Sequence, residues 1–168
     1  MKKIEVEKLS KVYIVKRLNT DDVDLIYTFC KSNTQYYKYC GKELSIELIE
    51  QDLQITPPGI SLEQKYYIGF WEKDKLVAVM DLIDGYPDAD YVYIGFFMMN
   101  SELQGVGIGS KIISEALAYL HGKGFEKCQL GIDRDNPQSN HFWRKNGFEV
   151  VREVEIEEGT ILVAEKQL

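Results

Sequence analysis

Residues 104–110 read Gln104, Gly105, Val106, Gly107, Ile108, Gly109 and Ser110, and the amphipathic stretch KIISEALAYL follows at once. A helix N-terminus leaves backbone N–H groups unpaired and carries the positive end of the helix dipole. It therefore suits an anion such as a phosphate. Glycines at that point let the ligand approach the main chain and let successive N–H groups turn inward as a nest. Val106 and Ile108 are expected to point into the core and leave the alternate amides free. The competing reading is a tight strand-to-helix turn that holds nothing. A P-loop is excluded, because Ser110 precedes Lys111 where that motif needs Gly-Lys-Ser/Thr. A dinucleotide fingerprint fits poorly, since it reads G-x-G-x-x-G and enters straight from a strand. Asp133 stands where a ribose-binding acid would, but Asn100 to Gln104 separate the glycines from the strand before them.

Acids, tyrosines and histidines elsewhere offer fewer patterns. Asp81 interrupts the apolar run VAVMDLI. A carboxylate in such a run is costly unless it is paired or its pKa is raised. It is either a functional acid or an acid tying down a backbone turn or a lysine; the family resemblance described below implies for the first case a base or an anchor for an amine. Asp84, Asp88 and Asp90, at the DGYPDAD turn, read as solvated loop residues. Tyr36, Tyr37 and Tyr39 cluster in TQYYKYCGKE, read as turn-like, where they pack on a sheet or, as the family resemblance described below implies, line the pocket of the acceptor. Tyr93, within YVYIGFFMM, either faces a cleft or belongs to the core. His121 and His141 are isolated and have no partners at metal-ligand spacing.

These residues must be positioned by a mixed α/β chain. KVYIVKRL (11–18) alternates as a strand does. NTDDVDLIYTFCKS carries helical spacing behind a cap at Asn19 or Thr20, and Ser45 caps a second short helix over 45–53. TPPGISLEQ (56–64) is a loop. Three strands follow with short connections, KYYIGFWEKDK, LVAVMDLIDGY and YVYIGFFMMN, which predicts an antiparallel meander. The glycine run then opens a helix that stops at Gly122 and Gly124. KCQLGI (127–132) is a strand, NPQSNHFWRKNGF holds a short helix, and FEVVREVEIEEGTILVAEK closes with two strands. The strand–helix–strand crossover is expected to be parallel and right-handed.

Bulk properties narrow the class. The chain has 168 residues, 45% hydrophobic and 28% charged, with a formal net charge of −7. One domain over 1–168 is expected. The acidic balance argues against nucleic acid or an anionic membrane as partner. Three cysteines, Cys30, Cys40 and Cys128, show no disulfide or zinc spacing, and Cys128 reads as a core residue. No signal peptide and no run of about 18 apolar residues is present, so a cytoplasmic location is expected.

Two motifs carry a family resemblance. Gln104-x-x-Gly107-x-Gly109 resembles the Q/R-x-x-G-x-G/A signature of the GNAT superfamily of N-acetyltransferases. Asn136, followed by a short helix and the FWRKNGF run ending in Gly147-Phe148, is similar to that family's second signature. The element order agrees from residue 11 onward. The resemblance implies a GNAT-like, mixed but mainly antiparallel sheet of about seven strands, splayed between the fourth and fifth, with helices on both faces. It implies acetyl-coenzyme A as cofactor. The pyrophosphate would lie on Gln104, Gly105, Val106, Gly107, Ile108, Gly109 and Ser110, with Asn136, Ser139 and Trp143 nearby. The pantetheine arm would pair with the main chain of Phe97, Met98 and Met99. Gly95 then marks either a bulge where the splay begins or close packing beneath an aromatic ring.

The family pattern also shows two departures. Many members place a Tyr acid four residues before the Gly-Phe pair, where this chain has Trp143. Indole cannot serve as a proton source near neutral pH, so Trp143 reads as packing beside the cofactor. Many members place a Glu on the fourth strand, and YVYIGFFMM has none, which leaves Asp81 as the nearest candidate. The implied activity is acetyl transfer to a primary amine of a small molecule or peptide, by direct attack in a ternary complex. A coenzyme A-binding sensor or scaffold without turnover, and a dinucleotide-dependent oxidoreductase, are the alternatives. Similar proteins are monomers or homodimers.

Overall fold

Period-two alternation runs through the central strands, and both faces it creates are buried. The computed structural model describes residues 2–168. In β2 (Lys65–Glu72), Tyr66, Ile68 and Phe70 join one core cluster and Tyr67 the other. In β3 (Lys75–Asp84), Ala78, Met80 and Leu82 face the first cluster, while Leu76 and Val79 face the second. A sheet apolar on both sides must be covered on both sides. The long helix α4 (Ile108–Gly122) covers the first face with Ile112, Ile113, Ala116, Leu117 and Leu120. The second is covered by α1 (Val23–Lys31) and α3 (Ile46–Gln54), through Ile26, Phe29, Cys30, Ile49 and Leu53.

The remaining elements are β1 (Ile14–Arg17), α2 (Thr34–Cys40), β4 (Tyr91–Met99), β5 (Lys127–Asp133), α5 (Pro137–Lys145), β6 (Glu149–Ile156) and β7 (Gly159–Gln167). The seven strands form one sheet in the order β1-β2-β3-β4-β5-β7-β6. Strands β1 to β4 are antiparallel neighbours, β4 and β5 are parallel, and β7 lies antiparallel to both β5 and β6. This is the mixed, mainly antiparallel sheet expected, with α4 in the crossover from β4 to β5.

The helix starts follow their caps. Asn19 and Asp22 exchange backbone N–H bonds in a capping box ahead of α1. Ser45 accepts the Leu48 N–H at 3.0 Å and opens α3. Two expectations change. The segment 34–40 is a helix rather than a turn, ended by Gly41 in the left-handed region at φ 71°. Strand β1 is shorter than 11–18, because the Ser10 hydroxyl accepts the N–H groups of Val12 and Tyr13 and holds that stretch as a turn. A third correction concerns Asp84. It is buried at the end of β3, where its carboxylate accepts the Lys2 N–H and its carbonyl accepts Gln64. Asp88 and Asp90 are exposed, as expected.

Candidate active site

Strands β4 and β5 pair from Tyr91 with Lys127 to Ile94 with Leu130, and then part. The next residue on each is a glycine, Gly95 and Gly131, and both are exposed. Strand β4 continues along β3 as far as Met99, paired with Ala78. Opposite this stretch, Asp81 pairs with Phe96 and Leu82 with Ile94, so Gly95 is the extra residue of a bulge. The bulge stands where the splay begins. A Cβ on Gly95 would sit 2.7 Å from Asp81 Oδ2, so the group occupying that space is a carboxylate rather than an aromatic ring.

The gap opens a cleft of about 340 Å³, floored by Phe96 to Met99 and walled by the glycine loop and α5. Each glycine of the loop has its own reason. Gly105 and Gly107 take φ of 77° and 86°, in the left-handed region where a side chain is strained, and no described protein atom lies within 4 Å of a Cβ added to either. They leave an open cradle at the start of α4, with Gly107 as its N-cap. Gly109 lies inside the helix, where a Cβ would come 3.2 Å from both Met99 and Phe142. It lets α4 sit close on β4 and α5. Ile108 packs on the core as expected. Val106 does not: it is 70% exposed, because a residue between two left-handed glycines is carried on the outer bend of the loop.

Gln104 fastens this loop across the cleft. Its amide donates to Asn33 Oδ1 at 2.6 Å, beyond α1, and its carbonyl accepts from Gln138 of α5 at 3.2 Å. Ser110 accepts from Asn146 at 3.1 Å. Asn136 is buried and caps α5 by accepting the Ser139 N–H at 3.1 Å. Trp143 is buried against Phe97, Phe142 and Phe148, with ring centroids 4.9 to 6.0 Å away, which agrees with packing. Of the residues singled out for the cofactor, all but Val106 and Ile108 line this cleft.

A second cavity, of about 600 Å³, lies on the α1–α3 side and is bounded by Thr56 to Pro58 and the β6–β7 turn. Tyr36, Gly95 and Phe96 line both cavities and mark their junction. Tyr37, Tyr93 and Asp81 line the second cavity; Tyr39 lines neither. Asp133 lines the second cavity and not the glycine-loop cleft, so it does not stand where a ribose on that loop would need it.

Asp81 itself is 8% exposed and pairs with buried Lys65 through Oδ2 at 2.6 Å, while Oδ1 has no hydrogen-bond partner among the described residues. Burial pushes its pKa up, and Lys65 offsets part of the rise. Asp52, on α3 in the same cavity, is also raised by burial, opposed by Lys42 and Lys65. Sequence reading passed over Asp52 and Lys65. The polar neighbour of Ile49 and Leu53 on an amphipathic helix looks solvated, and only the fold brings it onto a cavity wall shared with Thr56 to Pro58. Burial likewise raises the pKa of the Tyr36 phenol, which keeps it protonated.

The family model described as the acetyltransferase (GNAT) family matches residues 26–148. No curated protein matches the chain significantly by sequence. An acetyltransferase from Thermus thermophilus superposes with a TM-score of 0.75 at 20% identity, covering 94% of this chain and 97% of the other. The PaiA N-acetyltransferase from Thermoplasma acidophilum, in complex with coenzyme A, gives 0.67 at 19% identity, covering 93% and 99%. The ribosomal-protein-S18-alanine N-acetyltransferase from Escherichia coli gives 0.65 at 12% identity, covering 92% and 93%. At these identities the likeness is one of fold. No helix among the described residues is long and apolar enough to cross a membrane.

The buried Lys65–Asp81 pair generates a stability prediction. Lys65→Met strands the carboxylate and should cost about 3–5 kcal/mol at neutral pH, whereas replacing both partners by apolar residues should cost far less. The ionised form is the one the fold disfavours. Stability linked to Asp81 is therefore present below the ordinary carboxylate range and lost as pH rises through the raised native pKa. Urea midpoints of Lys65→Met should thus approach the parent protein's as pH falls into the mildly acidic range.

Proposed function

Because the chain belongs to the acetyltransferase (GNAT) family, we propose that it moves an acetyl group from acetyl-coenzyme A to a primary amine by direct attack in a ternary complex. The observation that carries this reading is the junction at Gly95. There an anion cradle, an unpaired strand edge and a separate aromatic and acidic cavity meet around one bulge.

The residues present fit the cofactor. Gly105 and Gly107 leave the N-terminus of α4 open to a diphosphate, which its free N–H groups would hold. The freed edge of β4 at Phe97 to Met99 offers main-chain groups to an amide-bearing arm, as an added strand would use them. Acetyl-coenzyme A, when bound, supplies the activated acyl group. Tyr36, protonated and the one hydroxyl-bearing residue that lines both cavities, would donate a hydrogen bond where negative charge develops. Trp143 contributes packing, with Phe97 and Phe142 forming the wall of the cleft. Asp81 sits on the acceptor side of the junction and would anchor the incoming ammonium or take its proton.

The direct test is release of free thiol from acetyl-coenzyme A in the presence of a panel of amines. Clear coenzyme A binding with no thiol release from any amine would favour a sensor or scaffold instead. Gly107→Val should abolish coenzyme A binding by calorimetry, while the strained φ lowers stability by only about 1–2 kcal/mol. Normal binding by that variant would move the phosphate site elsewhere. Trp143→Phe should leave turnover within a factor of about ten, since loss of a general acid costs about 10²–10⁴-fold. Tyr36→Phe should lower kcat by about 10²-fold, with coenzyme A affinity unchanged.

A further inference from the structure

The acceptor cavity has a charge pattern that the acetyl-transfer reading does not require. Four carboxylates line it, from Asp52, Asp81, Asp133 and Glu158, and Lys42 is the one cationic side chain among its described lining residues. These acids come from four separate elements: α3, β3, the end of β5 and the β6–β7 turn. No sequence run gathers them, so the acidity is a product of the fold. Even with Lys65 balancing Asp81, the carboxylates outnumber the cations around the cavity.

The second observation is the unpartnered atom. Asp81 is more than nine-tenths buried on the cavity wall, and its Oδ1 has no hydrogen-bond donor among the described residues while Lys65 occupies Oδ2. Oδ1 itself is closed off from solvent, so Asp81 acts on the cavity through its charge, which a ligand ammonium nearby would balance. Asp52 makes no ion pair among the described residues, and it lines the cavity from a helix, whereas Asp81 lines it from the sheet. The lining also includes Tyr37, Tyr67 and Phe96, whose faces suit ammonium groups and methylene chains alike. Among the described residues the cavity wall has no arginine, so a carboxylate or phosphate on the acceptor would find no planar fork to bind it and several like charges to repel it.

We infer that the acceptor is an aliphatic polyamine: a primary amine carrying at least one further ammonium on an alkyl chain, and no carboxylate or phosphate. This inference rests on the acetyltransferase reading. The reacting nitrogen lies at the junction beside Gly95, near Asp81, and the distal ammonium lies toward Asp52. In the reaction the amine nitrogen forms the bond to the acetyl carbon, the carbon–sulfur bond breaks, and the nitrogen's proton leaves as the thiol is formed.

The test compares butylamine, diaminobutane, aminobutanoate and a short peptide with a free N-terminus, following thiol release from acetyl-coenzyme A by the full chain. Diaminobutane should exceed butylamine in kcat/KM by roughly tenfold or more, with aminobutanoate poorest. The diamine preference should shrink at high salt, because it is electrostatic. Asp52→Asn should cut the ratio of diaminobutane to butylamine by raising KM for the diamine, a change that mere loss of packing would not produce. Equal rates for butylamine and diaminobutane, or acetylation of the peptide alone, would overturn the polyamine inference and leave acetyl transfer standing. No thiol release with any amine would overturn both.

Discussion

The parting of β4 from β5 after Ile94 and Leu130 is the constraint on which the site depends. A parallel pair that stayed zipped would close the cleft and leave no unpaired main chain for a ligand. The bulge at Gly95 shifts β4 by one residue against β3, and Asp81 fills the space that a Cβ at Gly95 would take. A carboxylate in that place must be compensated, which is the role of buried Lys65. The opening of the sheet, the missing Cβ and the buried ion pair are thus one structural event. The two cavities lie on either side of it and share Tyr36, Gly95 and Phe96.

Around that opening, the rest of the fold supplies rigidity. Helix α4 is pressed close to β4 because Gly109 has no side chain to hold it away from Met99 and Phe142. Trp143, Phe142, Phe97 and Phe148 interlock at edge-on and stacked angles and fix α5 against the same strand. Gln104 links the loop to Asn33 and to Gln138, so three separate segments hold the cleft mouth by hydrogen bonds. A proposed diphosphate site built this way is preorganised, because its donors are set by backbone that cannot easily move.

Several features were legible before the structure was known. Period-two patterns in β2, β3 and β4 and a clean helical period in α4 announced the sheet and its crossover. Ser45 and Asn19 marked helix starts by their own chemistry. The glycine loop declared an open helix N-terminus through residue type alone. Tyr36 and Tyr37 both pack on the second core cluster and line a cavity, and their segment is a helix rather than a turn, since its apolar face is made of tyrosines that read as polar. Val106 misled for another reason. Alternation with glycine looks like burial, but two left-handed residues turn the one between them outward.

The sequence by itself determined which elements form and where glycines open a helix N-terminus, because those properties are local: side-chain period, capping groups and glycine dihedrals act within a few residues. It also marked Asp81 as anomalous, since an acid in an apolar run is conspicuous wherever the run lies. Only the tertiary structure decided what that anomaly meant. Lys65 reaches Asp81 from sixteen residues away in the chain, and Asp52, Asp133 and Glu158 converge from three other elements onto one cavity. Charges on separate segments carry no common period and no fixed spacing. Their sum becomes a property of the molecule only when the sheet opens at Gly95 and the segments close around the gap.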